Sequence, residues 1–202
     1  MMNFKTAVIL AGGKSQRMGF DKQFLMINNM RIIEKQVIKL KEEFEEILVI
    51  TNKPEYYAKV TGIKVVSDEI REMGPLGGIH TGLKAASSDF VYFIACDMPC
   101  VNTDYIKFMK SRICKLDVDA CVTRSGEWIE PLNAFYSRGI IESIETDLLN
   151  GKGSLYYLLS KLKCLYIEEK EARKFSPNWG MFLNLNTRDE LEKFEQLPEG
   201  WT

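Results

Sequence analysis

Residues 10–22 combine glycines and cations in a pattern that suits phosphate binding. They follow the apolar run 6–10 and contain three glycines and three cations, Gly12, Gly13, Gly19, Lys14, Arg17 and Lys22. Glycine adopts backbone conformations that other residues avoid, and successive backbone N–H groups in such a loop form a concave anion site. The three positive charges strengthen this attraction. We therefore predict that the loop binds a polyphosphate.

This loop differs from two familiar phosphate-binding motifs. Five residues separate Gly13 from Gly19 and no Lys-Ser/Thr pair follows, so it is not a Walker A loop. Its adjacent glycines also exclude the Gly-x-Gly-x-x-Gly dinucleotide fingerprint. Residues 10–22 instead resemble the signature Leu-Ala-Gly-Gly-x-Ser-x-Arg-Met-Gly-x-Asp-Lys of the molybdenum cofactor guanylyltransferases, a family of nucleotidyltransferases. Every fixed position of that signature is met.

An acidic residue follows the apolar run 90–95, which predicts a central strand. This residue, Asp97, is followed by Met98 and Pro99. Ligands of open α/β sheets bind outside the carboxyl ends of the strands, so we expect Asp97 to lie near the first loop. A single carboxylate there suits Mg²⁺, which completes its coordination with phosphates and water. The alternative interpretation is a carboxylate that only caps a turn before Pro99.

A second acidic residue, Asp68, follows the predicted strand 63–66 and precedes the segment Gly-Pro-Leu-Gly-Gly at 74–78. We expect this segment to be a rigid turn that supports the carboxylate. A carboxylate accepts two adjacent donors in a bidentate arrangement, and guanine offers its ring N1–H and its amino group. The sequence therefore favours Asp68 as the residue that recognises guanine, with a helix cap or a surface role as the alternative.

The resemblance covers residues 7–195 and includes three further motifs: Cys-Asp-Met-Pro at 96–99, Glu-Pro-Leu-x-Ala-x-Tyr at 130–136 and Phe-x-Asn-x-Asn-Thr at 182–187. Alternation predicts that the two asparagines of the last motif share one face of a strand. Arg188 departs from the family, which usually has Pro there, and Cys100 replaces an aromatic or aliphatic residue. By this resemblance the catalytic residues are Arg17, Lys22 and Asp97, and Asp97 also holds the metal. The residues that the resemblance assigns to nucleotide binding are Leu10, Ala11, Gly12, Gly13, Lys22, Asp68, Gly77 and Asp97. It places Asn184, Asn186 and Glu130 on the acceptor side.

The implied reaction transfers GMP from GTP to the terminal phosphate of molybdenum-molybdopterin and releases pyrophosphate, with Mg²⁺ as the cofactor. The resemblance also implies transient contacts with other cofactor-biosynthesis proteins and with the molybdoenzymes that accept the product. Three alternatives stay open: cytidylyl transfer to the same cofactor, nucleotidyl transfer to another phosphorylated small molecule such as a sugar phosphate, and a catalytically silent nucleotide-binding module.

Composition narrows the class of protein. The chain has 202 residues, of which 46% are hydrophobic, and a net charge of −1, which argues against a nucleic-acid partner. It contains no apolar run of the roughly 18 residues that a membrane span needs. Five cysteines without a Cys-x-x-Cys spacing predict reduced thiols and a cytoplasmic protein.

Short apolar runs alternate with amphipathic stretches along the chain. Strands are predicted at 6–10, 47–50, 63–66, 90–95, 120–123, 132–136 and 164–167, and helices at 31–43, 54–60, 78–87, 102–113, 140–149, 154–162, 168–174 and 187–195. This order predicts a three-layer α/β/α sandwich with a mostly parallel, Rossmann-like sheet of the nucleotidyltransferase type and a small antiparallel part in the second half. We expect a single domain over residues 1–202, with nucleotide binding in about 1–100 and the acceptor side in about 101–202.

Overall fold

The computed structural model describes residues 2–12, 24–68, 70 and 73–198. Within these residues there are nine strands, and their bounds are β1 Thr6–Leu10, β2 Met26–Ile27, β3 Met30–Arg31, β4 Glu46–Thr51, β5 Lys64–Ser67, β6 Phe90–Ala95, β7 Ala120–Ser125, β8 Trp128–Ser137 and β9 Cys164–Glu168. The same residues form seven α-helices, which are α1 Ile32–Leu40, α2 Gly74–Ala85, α3 Thr103–Ile113, α4 Ile141–Leu149, α5 Leu155–Leu159, α6 Glu169–Ala172 and α7 Arg188–Glu195.

Seven of these strands form one sheet in the order β5-β4-β1-β6-β8-β7-β9, and β2 and β3 form a separate hairpin. Strand β8 runs antiparallel to both of its neighbours, β6 and β7, and every other neighbouring pair is parallel. The prediction of a mostly parallel sheet with a small antiparallel part is therefore confirmed. Strands from both halves of the chain contribute to this sheet.

Alternating side chains of the sheet enter two separate cores. In β1, Ala7 and Ile9 pack with residues of α1 and α3 on one face. Val8 and Leu10 pack with residues of α2, α4 and α5 on the other face. Burial on both faces explains why the central strands are continuous apolar runs, as expected for parallel strands covered by helices. The predicted three layers are thus confirmed.

Helix α2 approaches the sheet closely through two glycines, Gly78 and Gly82. A Cβ atom on Gly78 would lie 2.9 Å from Leu10 Cδ2, and one on Gly82 would lie 2.6 Å from Phe93 Cε1. Both are too short for ordinary carbon contacts, so larger residues would push the helix away from β1 and β6. The two glycines therefore set the distance between this helix and the centre of the sheet.

The structure corrects two predictions of local structure. The segment 74–78 is not a turn, because α2 already begins at Gly74 and Pro75 lies in its first turn, where a missing N–H costs nothing. Residues 183–187 do not form a strand, although Leu183 and Thr187 have extended backbone angles. Two predicted caps are confirmed: Asn102 Oδ1 accepts the N–H of Tyr105, and Thr187 caps α7.

No helix within the described ranges is long and apolar enough to cross a membrane. All five cysteines lie in those ranges and are free thiols.

Candidate functional site

The centre of the site lies at the carboxyl end of β1, where the chain changes direction across the sheet. From β1 the chain proceeds through β4 to β5 on one side, and then crosses back to β6 on the other side of β1. Such a switch point opens a crevice between the ends of two adjacent strands, and open α/β sheets bind ligands there. Gly12 follows β1 at this crevice and Asp97 follows β6. The structure therefore brings the start of the glycine-rich loop and the predicted metal carboxylate to one edge.

Backbone hydrogen bonds join the end of β1 to both of its neighbours, β4 and β6. The N–H of Ala11 donates to Ile50 O at 2.9 Å, and the N–H of Cys96 donates to Leu10 O at 3.0 Å. Gly12 is exposed, and no described atom lies within 4 Å of the position that a Cβ would occupy. A ligand can therefore approach the main chain of Gly12 directly. The predicted site residues Gly13, Arg17 and Lys22 lie outside the described residues.

Asp97 lies in a short turn that is held at both ends by one buried side chain, Gln36 of α1. The N–H of Met98 donates to Ala95 O at 3.2 Å and closes the turn. Gln36 Nε2 donates to Ala95 O and to Met98 O, each at 2.8 Å. Gln36 is completely buried. Its amide group therefore fixes the backbone on both sides of the half-buried carboxylate of Asp97.

A segment from the end of the chain adds polar groups beside this turn. The N–H of Leu185 donates to Asp97 O at 2.9 Å, so the flanking residues Asn184 and Asn186 lie next to Asp97 in the fold. Asn184 Nδ2 donates to Phe182 O at 3.1 Å, and Asn186 Nδ2 lies 3.4 Å from Asn184 O. The motif is thus brought to the predicted site, although by a segment with a single bond to Asp97 O rather than by a strand.

The chemistry of these residues fits Mg²⁺ better than a metal held by protein ligands alone. Within the described ranges no group of three or more His, Cys, Asp or Glu side chains is arranged to hold a metal ion. Asp97 supplies one carboxylate, and Asn184 and Asn186 add amide oxygens nearby. Mg²⁺ binds through one or two carboxylates and takes its remaining ligands from phosphates and water. The donor set therefore suits a metal that arrives with a nucleotide.

Asp68 follows β5 at the same edge and has a defined structural role. Its Oδ1 accepts the N–H of Ile70 and the hydroxyl of Thr81, both at 3.1 Å. A Cβ on Gly77 would lie 2.7 Å from Ile70 O and 3.5 Å from Asp68 Oδ1, which explains the glycine. Both of these hydrogen bonds from described residues end on Oδ1. Oδ2 is therefore the oxygen through which Asp68 would bind a ligand.

Glu130 lies beyond the end of β6, on the hairpin of β7 and β8. The register pairs Phe93 with Ala134, so residues before 132 extend past the carboxyl end of β6. The pairing of β7 with β8 shifts between Cys121 and Thr123, so β8 carries extra, bulged residues between Glu130 and Phe135. The predicted acceptor-side residue therefore lies at the same edge of the sheet as Asp97.

The carboxylate of Glu130 is surrounded by two tryptophans. Trp128 Nε1 donates to Glu130 Oε1 at 3.0 Å. Burial raises the pKa of Glu130, and the side chains of Trp128 and Trp179 oppose the shift. Glu130 therefore anchors the indole of Trp128, a role that its position in a sequence motif did not reveal.

Sequence reasoning missed three residues that organise the site: Gln36, Thr81 and Trp179. Gln36 stands at a position of α1 that faces the core, so a polar residue on an apolar helix face was the available signal. Thr81 lies in the buried part of α2, thirteen residues after its partner Asp68. Trp179 has a positive φ of 65°, which the sequence does not indicate.

Two bacterial proteins are similar in sequence to this chain over nearly its full length. A molybdenum cofactor guanylyltransferase of Syntrophotalea carbinolica is 53% identical over 199 residues, which cover 98% of this chain and 94% of the relative. A probable molybdenum cofactor guanylyltransferase of Peptoclostridium acidaminophilum is 50% identical over 201 residues, which cover 97% and 90%.

A solved structure shares the fold. The crystal structure of molybdopterin-guanine dinucleotide biosynthesis protein A from Archaeoglobus fulgidus matches with a TM-score of 0.83 and 24% sequence identity, over 95% of this chain and 97% of that chain. The family described as MobA-like NTP transferase domain matches residues 7–165. This match runs from β1 to the beginning of β9 and so includes the switch point with Gly12 and Asp97. The chain therefore belongs to the MobA-like NTP transferase domain family.

Proposed function

We propose that this protein transfers GMP from GTP to the terminal phosphate of molybdenum-molybdopterin and releases pyrophosphate. The observation that carries the proposal is the placement of Asp97 beside Gly12 at the switch point of the sheet, in a turn that Gln36 holds rigidly. The names of the two relatives that are at least 50% identical support guanine as the base and the molybdenum cofactor as the acceptor.

The reaction needs positioning and charge neutralisation more than it needs a base. A phosphate monoester is mostly a dianion near neutral pH, because its second pKa is about 6. The terminal phosphate of the acceptor can therefore attack the α-phosphorus of GTP in line without losing a proton to the protein. Mg²⁺ held by Asp97, with Asn184 and Asn186 beside it, would supply positive charge where the phosphates gather.

The other predicted site residues bind the nucleotide and its phosphates. The backbone of Leu10, Ala11, Gly12 and Gly13 lies against the nucleotide, and Gly77 lets the segment after β5 approach α2. Lys22 and Arg17 bind the β- and γ-phosphates and the departing pyrophosphate. Removal of one such charge contact raises the barrier by about 3 kcal/mol, by analogy with the loss of an oxyanion-hole donor.

Recognition of guanine is assigned to Asp68. A carboxylate that bound both guanine donors would use Oδ2 for one of them and would share Oδ1 with Thr81 and with the N–H of Ile70. The side chain of Thr81 thereby orients the carboxylate toward the base. A change at Thr81 alone tests this orientation, because it leaves the charge of Asp68 in place.

The proposal is tested by calorimetry with each of the four nucleotides and Mg²⁺, followed by a pyrophosphate-release assay with GTP and molybdenum-molybdopterin. We expect tight binding of GTP and release that depends on the acceptor. Preferential binding of CTP would indicate cytidylyl transfer. Binding of GTP with no release in the presence of the acceptor would indicate a silent nucleotide-binding module, and a lack of binding to Mg²⁺ and GTP would refute the proposal.

A further inference from the structure

Two aromatic side chains, Trp128 and Tyr156, lie exposed at the tip of the β7–β8 hairpin. Trp128 is 59% exposed and Tyr156 is 41% exposed. Their ring centroids are 6.0 Å apart in an edge-to-face arrangement. Burial of a large aromatic side chain is energetically favourable, and these two rings forgo much of that gain because they face water. A pair of neighbouring exposed rings on a protein surface indicates a contact site. We call these two residues the aromatic shelf.

The aromatic shelf is held in a fixed position. The indole N–H of Trp128 donates to Glu130 Oε1 at 3.0 Å, and the hydroxyl of Tyr156 donates to Ile129 O at 2.9 Å. The rings are therefore oriented before a ligand arrives, which reduces the entropy that binding must overcome.

Two residues near the aromatic shelf have unusual backbone conformations. Trp179 has a φ of 65°, which is uncommon for a bulky residue. Asn133 also has a positive φ, of 58°, in the bulged part of β8, and its Nδ2 donates to Met181 O at 3.0 Å. Residues in such sparsely populated conformations collect at functional sites, where the surrounding structure maintains them.

The aromatic shelf also lies on the edge of the sheet that carries Asp97. The pairing of β6 with β8 runs as far as Phe93 and Ala134, and Trp128 lies six residues before Ala134 in the chain, past the carboxyl end of β6. Asp97 follows β6 at the same end of that strand. An acceptor whose phosphate lies beside Asp97 must extend its other end away from that carboxylate.

We propose that the aromatic shelf of Trp128 and Tyr156 binds the flat heteroaromatic ring of the acceptor by stacking. This inference rests on the proposed function, which supplies a pterin as the acceptor. Stacking suits a ring of this kind because every such ring has a π face, and loss of one aromatic partner weakens binding of nucleic-acid bases substantially. The aromatic shelf holds the ring while the phosphate at the other end of the acceptor reaches the nucleotide.

The test uses 6-hydroxymethylpterin as the probe and follows its own fluorescence during titration with the protein, with and without Mg²⁺ and GTP. Trp128→Ala is expected to weaken binding of the probe by at least about tenfold, whereas Trp128→Phe keeps a ring and stays close to the wild type. The matched control is Leu116→Ala, which removes an exposed apolar side chain (45% exposed) at the opposite edge of the sheet. Tyr156→Ala serves as a second variant in case Trp128→Ala does not fold.

Equal affinity of the wild type and both alanine variants of the aromatic shelf would overturn the inference, as would no binding of the pterin to the wild type. Equal weakening by Leu116→Ala would overturn it as well, since the effect would then not belong to the aromatic shelf. Failure of the proposed function gives a different result, because the protein would then not bind Mg²⁺ and GTP in calorimetry whatever residue stands at 128.

Discussion

The Gln36 amide offers the sharpest test of how Asp97, the proposed metal ligand, is positioned. Replacement of Gln36 by Met keeps the length of the side chain and its burial but removes both donors. Met98 O then loses its bond to Gln36, and Ala95 O keeps only the N–H of Met98. The turn that carries Asp97 remains closed at one end and becomes loose at the other.

The size of the effect follows from these two bonds. A buried carbonyl left without a donor costs about 1–3 kcal/mol, and loss of the second bond costs about 1 kcal/mol. Part of this is offset, because Gln36 Oε1 is buried and accepts no hydrogen bond from a described residue. We therefore expect the free energy of unfolding to fall by about 2–3 kcal/mol and Tm by about 4–12 °C.

The functional effect is measured separately from stability. Groups that orient a metal ligand typically contribute about tenfold to hundredfold to metal affinity, so Gln36→Met should weaken Mg²⁺ binding in the presence of GTP by at least about tenfold. Calorimetry at a temperature where the variant is fully folded gives this value. The matched control is Lys39→Met on the exposed face of the same helix, where Lys39 pairs with the exposed Glu42 at 3.0 Å. A stability change within about 0.5 kcal/mol is expected there.

Two results would refute this reasoning about Gln36. If Gln36→Met lowers Tm but leaves Mg²⁺ affinity and turnover unchanged, the amide supports the core and does not position Asp97. If stability is also unchanged, the two hydrogen bonds contribute nothing measurable to the fold.

Lys22→Ala should lower turnover with GTP by about a hundredfold while Tm stays unchanged, and near-normal turnover would remove Lys22 from the mechanism. Asp97→Asn should abolish Mg²⁺ binding in calorimetry, whereas unchanged affinity would show that the metal binds elsewhere. Asp68→Asn should reduce the preference for GTP over the other nucleotides by about tenfold, and Thr81→Val, which removes one bond to Asp68, should reduce it less; an unchanged preference profile in both would argue against guanine recognition. Glu130→Gln should flatten the pH dependence of stability: burial raises the pKa of Glu130 above its ordinary value of 4.5, so the folded wild type binds this proton more tightly than the unfolded chain, and stability is lost as pH rises through the raised pKa. In denaturation series from pH 4 to pH 8, equal slopes for both proteins would show that the pKa of Glu130 is not raised, and a wild-type stability that rises with pH relative to the variant would show that it is lowered.

The sequence predicted most of the sheet because the relevant signals are local. The run 90–95 is buried at every position except Ala95 and forms β6 with those bounds, since a strand covered on both faces needs apolar residues at every position. The cap at Thr187 and its partner Glu190 lie within one turn of helix, so their pattern is also complete within a few residues. The resemblance to molybdenum cofactor guanylyltransferases is confirmed by relatives of that name.

The sequence failed where a role depends on residues that are far apart in the chain. Gln36 acts on a turn 59 and 62 residues away, and nothing near position 36 indicates that turn. Glycine and proline usually interrupt helices, so the segment 74–78 predicts a turn, yet both residues are tolerated in the first turn of α2. The functional roles of Asp68, Asp97, Lys22 and the acceptor-side residues stay predictions.

The two sides of the site are joined by one short segment, residues 179–187. At its beginning, the side chain of Trp179 acts on the pKa of Glu130, on the proposed acceptor side. In its middle, Met181 O accepts a bond from Asn133 at 3.0 Å, and further along, the N–H of Leu185 donates to Asp97 O at 2.9 Å. Because Leu185 also packs with Leu25 and Ile27 of the β2–β3 hairpin, the same segment contacts the chain directly after the glycine-rich loop. In-line transfer requires the acceptor phosphate and the α-phosphorus of GTP to be aligned to within a fraction of an ångström. A single segment that is bonded to both sides fixes that alignment more firmly than two independent loops would.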